Sequence, residues 1–169
     1  MSETLVYDAV PSPVGPLVLV VSATGLRGLH IGDVADVHAA WGGTPGRGPA
    51  RDIQAVRPFA QQLAEYFVGS RRVFDLPLDL SGVRPFGQAV LRAALEIRFG
   101  SVASYREIAA QLGTPSAARA VGGALARNPI PIIVPCHRVL RSDGSLAGYV
   151  GGSAVKRFLL RHEGVLLVA

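Results

Sequence analysis

The sequence predicts an α+β protein in which a small N-terminal antiparallel sheet with a helix precedes a mostly helical C-terminal domain containing a helix-turn-helix. Three observations predict this fold class. The first 32 residues alternate β-rich runs with turn residues, the later residues carry amphipathic helical patterns, and the charge changes sign between the two parts. Residues 1–81 hold six arginines against eight acidic residues, whereas residues 82–169 hold eleven basic residues against four acidic ones. We therefore expect two domains, 1–81 and 82–169.

The charge of the second domain indicates a polyanionic partner, most simply nucleic acid. A solvated arginine-rich surface explains the same charge, so charge alone leaves both interpretations open. The chain has 169 residues, 49% of them hydrophobic, which is enough to bury a core and excludes intrinsic disorder. A single cysteine excludes an internal disulfide and a zinc site of paired thiolates. We expect a soluble, cytoplasmic protein with no metal, no cofactor and no membrane segment.

The N-terminal part is predicted as a three-stranded meander, because the runs TLVYDAV, LVLVVSA and LRGLHIG are separated by turn residues. Residues 42–49 have loop composition and are assigned no structure. A helix is predicted to begin with Pro58 in its first turn and to end at Gly69, with Phe59, Leu63, Tyr66 and Phe67 at helical spacing. Residues 75–84 are predicted to be a linker.

The C-terminal part is predicted as a series of short helices. Phe86, Val90, Ala94 and Ile97 define a helix that stops before Gly100. Ser104 and Glu107 form a capping box that opens a second helix, and a Gly-Thr-Pro break follows at residues 113–115. Ser116 is predicted to cap a third helix that runs to Arg127. Two short helices across a tight turn in a basic region indicate a helix-turn-helix, although many helical hairpins look alike.

The third of these helices has one face almost without side chains. Val121 and Leu125 lie on one side, and the other side is formed by Arg119, Gly122, Gly123 and Ala126. Two internal glycines cost about 1 kcal/mol each relative to alanine, so something must approach this face closely. A neighbouring helix would serve as well as DNA, but a lone arginine favours DNA.

Cys136 and His137 are the candidate reactive groups. They follow a stiff run, NPIPIIVP, that is predicted to be buried. A lone cysteine in apolar surroundings is more often an inert small hydrophobe, but the adjacent His137 and Arg138 favour a reactive thiol. Adjacent side chains of an extended segment point apart, so a water relay is the simplest link between sulfur and imidazole. Such a base needs an orienting carboxylate.

The last helix, residues 153–163, offers that carboxylate. Its buried face is predicted to be Val155, Phe158, Leu159 and His162, with Glu163 at the edge of the final turn. A carboxylate at a helix C-terminus opposes the dipole, which points weakly to function. A solvated terminal glutamate explains it slightly better, and His162 fits a core histidine rather than a catalyst.

The motifs resemble those of the O6-alkylguanine-DNA alkyltransferases. The resemblance is carried by Pro-Cys-His-Arg at residues 135–138, by Asn-Pro-Ile-Pro at 128–131 and by Gly-Ser-Leu-Ala-Gly-Tyr at 144–149. It extends over nearly the whole chain, from Pro-Val-Gly at residues 13–15 to His-Glu-Gly at 162–164. The family fold it implies is a ribonuclease H-like N-terminal domain, with a structural role, before a C-terminal helix-turn-helix domain that binds DNA.

The resemblance also implies a role for each matching residue. Cys136 would accept the alkyl group irreversibly, His137 would deprotonate it through water, and Glu163 would orient His137. Tyr105 would contact the flipped base and rotate its phosphate, Asn128 would be a hinge, and Arg119 would be a finger in the duplex. The remaining DNA contacts would be Ala118, Gly122, Gly123, Ala126, Arg127, Tyr149 and Val150.

The implied partner is double-stranded DNA carrying O6-alkylguanine, bound through the minor groove, with O4-alkylthymine as an open second lesion. A monomer is expected, with cooperative assembly on DNA left open. The chain departs from the family in Ile-Arg-Phe-Gly at residues 97–100 and in Val150, which follows the active-site tyrosine. His30 and His38 have no assigned role.

Two other classes of function compete with this hypothesis. A lesion sensor would bind alkylguanine without transfer, but such relatives lack the acceptor cysteine, and Cys136 is present. A cysteine hydrolase would need an oxyanion hole and repeated turnover, which no motif indicates.

Overall fold

The structure is a computed structural model that describes residues 4–42 and 48–167. Its internal contacts divide the chain into two compact units, and the boundary between them falls between Leu80 and Ser81. The α+β class is confirmed, since a sheet unit precedes a helical unit. Within the described residues no helix is both long and apolar enough to cross a membrane.

The first unit is built on a four-stranded sheet. Strands β1 (Val6–Val10), β2 (Leu17–Ser22) and β3 (Gly25–Ile31) form the predicted antiparallel meander, which is confirmed. A short β4 (Ala50–Arg51) pairs in parallel with β1 and gives the order β3-β2-β1-β4. The predicted loop at residues 42–49 falls mostly outside the described residues.

Two helices bury the central strand β2 from both sides. Helix α1 (Val34–Gly42), which the sequence analysis missed, packs Val37 against Val18 and Val20. Helix α2 (Ile53–Phe67) contacts β1 and β2 and buries Val56, Phe59, Leu63 and Tyr66. Because side chains alternate along a strand, both faces of β2 need apolar residues, and all six of its residues are buried.

Helix α2 begins earlier than predicted. Asp52 caps it by accepting hydrogen bonds from the backbone N–H groups of Gln54 and Ala55 at 3.0 Å, and Pro58 lies inside the helix rather than in its first turn. The prediction was wrong because proline was given more weight than the aspartate cap. The predicted C-terminal glycine, Gly69, does lie just past the helix in a left-handed conformation, with φ +82°.

The first half of the predicted linker is part of the first unit, so that prediction was wrong. Leu78 forms a parallel bridge with Leu26, and the Asp79 N–H donates to the Leu26 carbonyl at 2.8 Å. The buried carboxylate of Asp79 accepts hydrogen bonds from Ser22 at 2.6 Å and Arg27 at 2.8 Å. These bonds fix the chain against the free edge of β3.

The second unit contains four helices and a two-stranded parallel sheet. Helix α3 (Pro85–Leu95) ends before Gly100 as predicted, and α4 (Tyr105–Gln111) begins with the predicted Ser104–Glu107 capping box, which is confirmed. Strands β5 (Ala103–Ser104) and β6 (Val139–Leu140) form the small sheet. The other helices are α5 (Ala118–Ala126) and α6 (Ser153–His162).

Ser116 does not cap α5, contrary to the prediction. It lies inside a 3₁₀ turn, Pro115–Ala117, and Ala117 occupies the cap position without a side-chain hydrogen bond. The predicted apolar side of α5 is confirmed, since Val121 and Leu125 are buried together with Ala124. Of the predicted buried face of α6, Leu159 is confirmed, whereas Val155 and His162 are only half-buried. Phe158 is 38% exposed, and the buried positions are Lys156, Leu159 and Leu160, followed by Glu163.

Candidate active site

Cys136 lies at the start of a buried 3₁₀ turn, Cys136–Arg138, that follows a strained loop. Ile132 in that loop has φ +74°, a conformation that costs a β-branched residue about 1–3 kcal/mol. The Val134 N–H donates to the Ile130 carbonyl at 2.9 Å, and the Cys136 N–H donates to the Val134 carbonyl at 2.8 Å. The surrounding backbone therefore forces the turn that presents the sulfur.

Asn128 connects this loop to the sulfur. Its side-chain oxygen accepts from the Ile130 N–H at 3.0 Å, which fixes the orientation of the amide. Its side-chain nitrogen donates to the Val134 carbonyl at 2.9 Å and to Cys136 Sγ at 3.1 Å. Asn128 thus holds the loop closed and offers the sulfur a hydrogen bond that stabilises negative charge.

His137, Glu163 and Arg138 form a buried cluster behind the cysteine. His137 Nε2 lies 2.8 Å from Glu163 Oε1, and both side chains are fully buried. Arg138 donates two hydrogen bonds to the same carboxylate, from Nε at 2.8 Å and from Nη2 at 3.0 Å, and its Nη1 donates to the Ile97 carbonyl. A guanidinium that donates two parallel hydrogen bonds to a carboxylate forms one of the strongest pairings between side chains.

This cluster fixes the proton positions of the imidazole. Burial acts to raise the pKa of Glu163, but the hydrogen bonds from His137 and Arg138 outweigh it and hold the pKa at about 2. Burial also lowers the pKa of His137, despite the opposing effect of Glu163, so the ring is neutral. Because an ionised carboxylate only accepts hydrogen bonds, Nε2 carries the proton and Nδ1 is an acceptor. Within the described residues nothing hydrogen-bonds to this buried Nδ1.

Burial raises the pKa of the Cys136 thiol from 9.0 to about 11, although Asn128 and the charge of Lys156 act in the opposite direction. The sulfur is therefore a neutral thiol at neutral pH and must lose its proton to become a nucleophile. Lys156 is 1% exposed, and its Nζ donates to the Val139 carbonyl at 2.7 Å. Burial lowers the pKa of Lys156 to about 8.

A cavity of about 360 Å³ opens onto the sulfur. Its walls are mostly apolar or glycine, and two tyrosines contribute to them. The Tyr149 ring also meets the His137 ring edge to face, with the centroids 6.3 Å apart. The lining residues are Tyr105, Gly122, Leu125, Ala126, Cys136, Gly148, Tyr149 and Val150.

Helix α5 supplies one wall of this cavity. A Cβ added at Gly122 would lie 3.6 Å from the Tyr105 ring, so the glycine leaves the space of a methyl group open beside that ring. On the same helix Arg119, Ala126 and Arg127 are exposed, and Ala118 and Gly123 are half-buried. The bare face is therefore open to a partner rather than covered within its own unit.

The structure brings six of the predicted site residues to the cavity, namely Tyr105, Gly122, Ala126, Cys136, Tyr149 and Val150. Asn128, His137 and Glu163 lie behind it, and the other predicted DNA contacts, including Arg119, lie on α5 outside it. The sequence analysis took Arg138 as a cation that favours a reactive thiol, whereas the structure pairs it with Glu163. It gave no role to Lys156, whose only sequence signal was its helical spacing from Leu159, Leu160 and Glu163.

His30 and His38, the two histidines without an assigned role, lie in the first unit. His30 approaches Asp36 at 3.5 Å on the surface, and His38 packs edge to face on Tyr7 at 5.1 Å. No group of three metal-binding side chains occurs among the described residues.

Two short helices joined by a tight turn, α4 and α5, beside a cavity that Cys136 lines are the arrangement expected of a DNA-binding protein whose chemistry occurs at a thiol. Residues 5–80 match the 6-O-methylguanine DNA methyltransferase, ribonuclease-like domain, and residues 85–165 match the DNA binding domain of the same family. The chain therefore belongs to the 6-O-methylguanine DNA methyltransferase family.

Individual relatives agree with this assignment. The methylated-DNA–protein-cysteine methyltransferase of Methanosarcina barkeri is 41% identical over 160 residues, which cover 93% of this chain and 96% of the relative. The crystal structure of the Mycobacterium tuberculosis O6-methylguanine methyltransferase has a TM-score of 0.81 at 41% identity, covering 95% and 93% of the two chains. A structure of the M. tuberculosis protein in complex with DNA has a TM-score of 0.82 at 43% identity, covering 93% and 91%.

Proposed function

We propose that this chain repairs DNA by taking the alkyl group of O6-alkylguanine onto Cys136. Family membership makes the reaction a transfer from methylated DNA to a protein cysteine. The observation that carries the assignment to this residue is that Cys136, the only cysteine in the chain, lines the cavity.

The reaction is one displacement at the alkyl carbon. The sulfur attacks that carbon, the bond from carbon to guanine O6 breaks, and guanine keeps the electron pair. The proton lost by the thiol balances the proton that guanine regains. A thioether forms, and no residue of the site offers a route back, so each molecule reacts once.

His137 is the proposed base, acting through a water molecule on Nδ1. Two observations support this role. His137 Nδ1 is a buried acceptor to which no group of the described residues donates, and Glu163 fixes the other ring nitrogen, Nε2, as a donor. Glu163 is the proposed orienting carboxylate. Asn128 is a hinge between α5 and the cysteine loop, and its hydrogen bond to Sγ supports a further role in stabilising the thiolate.

The base must leave the duplex to reach the buried sulfur, because a stacked guanine cannot present its alkyl carbon in line with Sγ. Tyr105 contacts the extruded base and rotates its phosphate, and Arg119 enters the gap left in the stack. The remaining contacts are those of the open α5 face and of the cavity rim, Ala118, Gly122, Gly123, Ala126, Arg127, Tyr149 and Val150. A shallow glycine and alanine face suits the minor groove.

The two units have different roles in this proposal. Residues 1–81 are structural, and residues 82–169 bind DNA and accept the alkyl group. The protein acts in the cytoplasm as a monomer, because its single thiol needs a reducing environment and one chain supplies every proposed catalytic group. O4-alkylthymine is a proposed second lesion, and successive molecules on DNA could assemble cooperatively.

The Cys136→Ser substitution tests the assignment of the acceptor. The variant should bind a duplex that contains O6-methylguanine as the unsubstituted protein does, because the serine hydroxyl leaves the cavity and the α5 face in place. It should transfer no methyl group. Binding is measured by fluorescence anisotropy and transfer by protein mass. Methylation of the serine variant at another residue would refute the assignment.

A further inference from the structure

Arg141 emerges beside Tyr105 because of the register of the small parallel sheet. Ser104 at the end of β5 lies opposite Leu140 at the end of β6. Tyr105, the first residue of α4, and Arg141 are the residues that follow these two paired strand ends, and neighbouring strands lie only about 4.8 Å apart. A turn holds the arginine there, since its N–H donates to the Ser145 carbonyl at 3.1 Å and its carbonyl accepts from the Gly144 N–H at 2.9 Å.

The Arg141 side chain is an exposed cation that does not itself line the cavity but lies near Tyr105, which does. Within the described residues its guanidinium makes no hydrogen bond or ion pair with another side chain. Its charge nevertheless reaches the cavity. Burial raises the pKa of Tyr105, and the positive charge of Arg141 opposes that rise. Burial likewise lowers the pKa of Lys156, and Arg141 lowers it further.

We propose that Arg141 binds a backbone phosphate of the extruded nucleotide. This inference rests on the proposed function, which places the base in the cavity against Tyr105. The sugar and phosphates of that nucleotide must then lie at the cavity edge, where Arg141 presents an unpaired guanidinium. Arginine binds phosphate through two parallel hydrogen bonds, which suits it to fix the rotated backbone in one geometry. Arg141 therefore acts in holding the flipped state and not in the displacement itself.

The test compares Arg141→Ala with Arg157→Ala, which removes the same charge from an exposed position on α6. Transfer rates are measured under subsaturating conditions with an O6-methylguanine duplex and with free O6-benzylguanine, which has no phosphate. Arg141→Ala should slow transfer from the duplex about tenfold, as expected for loss of a hydrogen bond to a charged group. The substitution should also make duplex binding less dependent on salt: the slope of the logarithm of the binding constant against the logarithm of the salt concentration should become shallower by about one unit. Transfer from the free base should be unchanged.

Neutral methylphosphonates at the two phosphates that flank the lesion identify the partner. Each duplex carries one replacement. The unsubstituted protein should transfer the methyl group about tenfold more slowly from one of these two duplexes than from the unmodified duplex. Arg141→Ala is already slow, and the same methylphosphonate should slow it little further, because the arginine and the phosphate form one interaction. Arg157→Ala should lose as much as the unsubstituted protein does.

The inference would be overturned if each methylphosphonate slowed Arg141→Ala as much as it slows the unsubstituted protein. It would also be overturned if Arg141→Ala and Arg157→Ala reacted with the unmodified duplex at equal rates. A slower reaction of Arg141→Ala with the free base would also overturn it, since the effect would then lie in the cavity itself. If the unsubstituted protein transferred no alkyl group from any substrate, the proposed function would fail, which is a different result from additive losses by an active protein.

Discussion

Glu163 is the centre of the buried cluster, because the side chains of Arg138 and His137 and, at 3.5 Å, the Gly100 N–H all donate to its carboxylate. Arg138 occupies both oxygens through its fork, and His137 adds a third hydrogen bond at 2.8 Å. Without Arg138, a buried carboxylate next to an imidazole could take up a proton. With Arg138 it stays ionised, and the imidazole keeps its proton on Nε2. The acceptor nitrogen therefore faces away from the carboxylate, as a base for a thiol requires.

The relay from Cys136 through His137 to Glu163 should act as one unit. We expect Glu163→Gln and His137→Ala each to slow transfer from O6-benzylguanine, by at least tenfold for the histidine. The double variant should be little slower than the slower single variant, because Glu163 acts only through His137. Single-turnover rates check this. Multiplied losses would mean that Glu163 merely stabilises its own surroundings, and unfolding curves of each variant control for that effect.

The raised thiol pKa should also affect stability at high pH. The folded thiol titrates at about 11 and the unfolded thiol near its ordinary value of 9.0. The folded state therefore holds more protons between these values, so the contribution of the thiol is complete below pH 9 and is lost as the pH rises to 11. The loss should be of the order of 3 kcal/mol.

The control for this titration is Cys136→Ser. Lys156 acts in the opposite direction, because burial lowers its pKa from 10.5 to about 8, and comparing the two proteins removes that contribution. The free energy of unfolding, measured with urea from pH 8 to 11, should fall more steeply for the unsubstituted protein. Parallel curves would show that Cys136 is not a buried neutral thiol.

At the scale of residues, the sequence marked the nucleophile and its neighbour but not their environment. Cys136 and His137 stood out because a lone cysteine next to a histidine and an arginine is unusual. Glu163 stood out weakly as a carboxylate at a helix C-terminus, but a solvated glutamate explained that position slightly better, and the family resemblance was needed to favour it. Lys156 was not identified, because its burial depends on which face of α6 packs inward, and that depends on tertiary contacts.

At the scale of elements, α5 gives up stability for an open surface. Gly122 and Gly123 stand in the middle of the helix, where alanine would be favoured by up to about 1 kcal/mol each. At Gly122 an added methyl would meet only the Tyr105 ring at van der Waals distance, so packing does not require glycine there. The space that it leaves belongs to the cavity, which supports a role in admitting the flipped base.

Gly122→Ala should therefore raise stability and lower activity together. We expect a higher melting temperature and a slower reaction with both the duplex and free O6-benzylguanine. Gly123→Ala is the matched control, because it makes the same change one residue away, outside the cavity lining. It should gain similar stability and keep its rate with the free base. Equal free-base rates for the two variants would contradict a role for Gly122 in the cavity.

The sequence predicted helices and strands correctly where a capping residue or the alternation of apolar and polar residues was enough to define them. The capping box at Ser104 and the three strands were found because each depends on neighbours in sequence. The start of α2, the cap at Ser116 and most of the buried face of α6 were wrong, since several local signals competed there and packing selected among them. The site loop at residues 128–135 was predicted to be stiff, but its positive φ at Ile132 has no sequence signature.

At the scale of the whole molecule, the more basic part of the chain is the part that contains the proposed site. Residues 82–169 hold most of the basic side chains, and all the groups of the proposed site lie in that part of the chain. The first unit, whose residues are acidic on balance, contributes none of them. The charge pattern, the α+β class and the nucleophile were therefore predictable from the sequence, whereas the hydrogen-bonded cluster behind the cysteine required the folded structure.

The most direct test of the central claim is the intact mass of the protein during reaction with an excess of O6-methylguanine duplex. The account predicts that each molecule gains one methyl group on Cys136, that one lesion is repaired per protein molecule, and that the reaction then stops. Repair of many lesions by a protein of unchanged mass would contradict it and indicate a hydrolase. Tight binding of the lesion with no change in mass would contradict it equally and indicate a sensor.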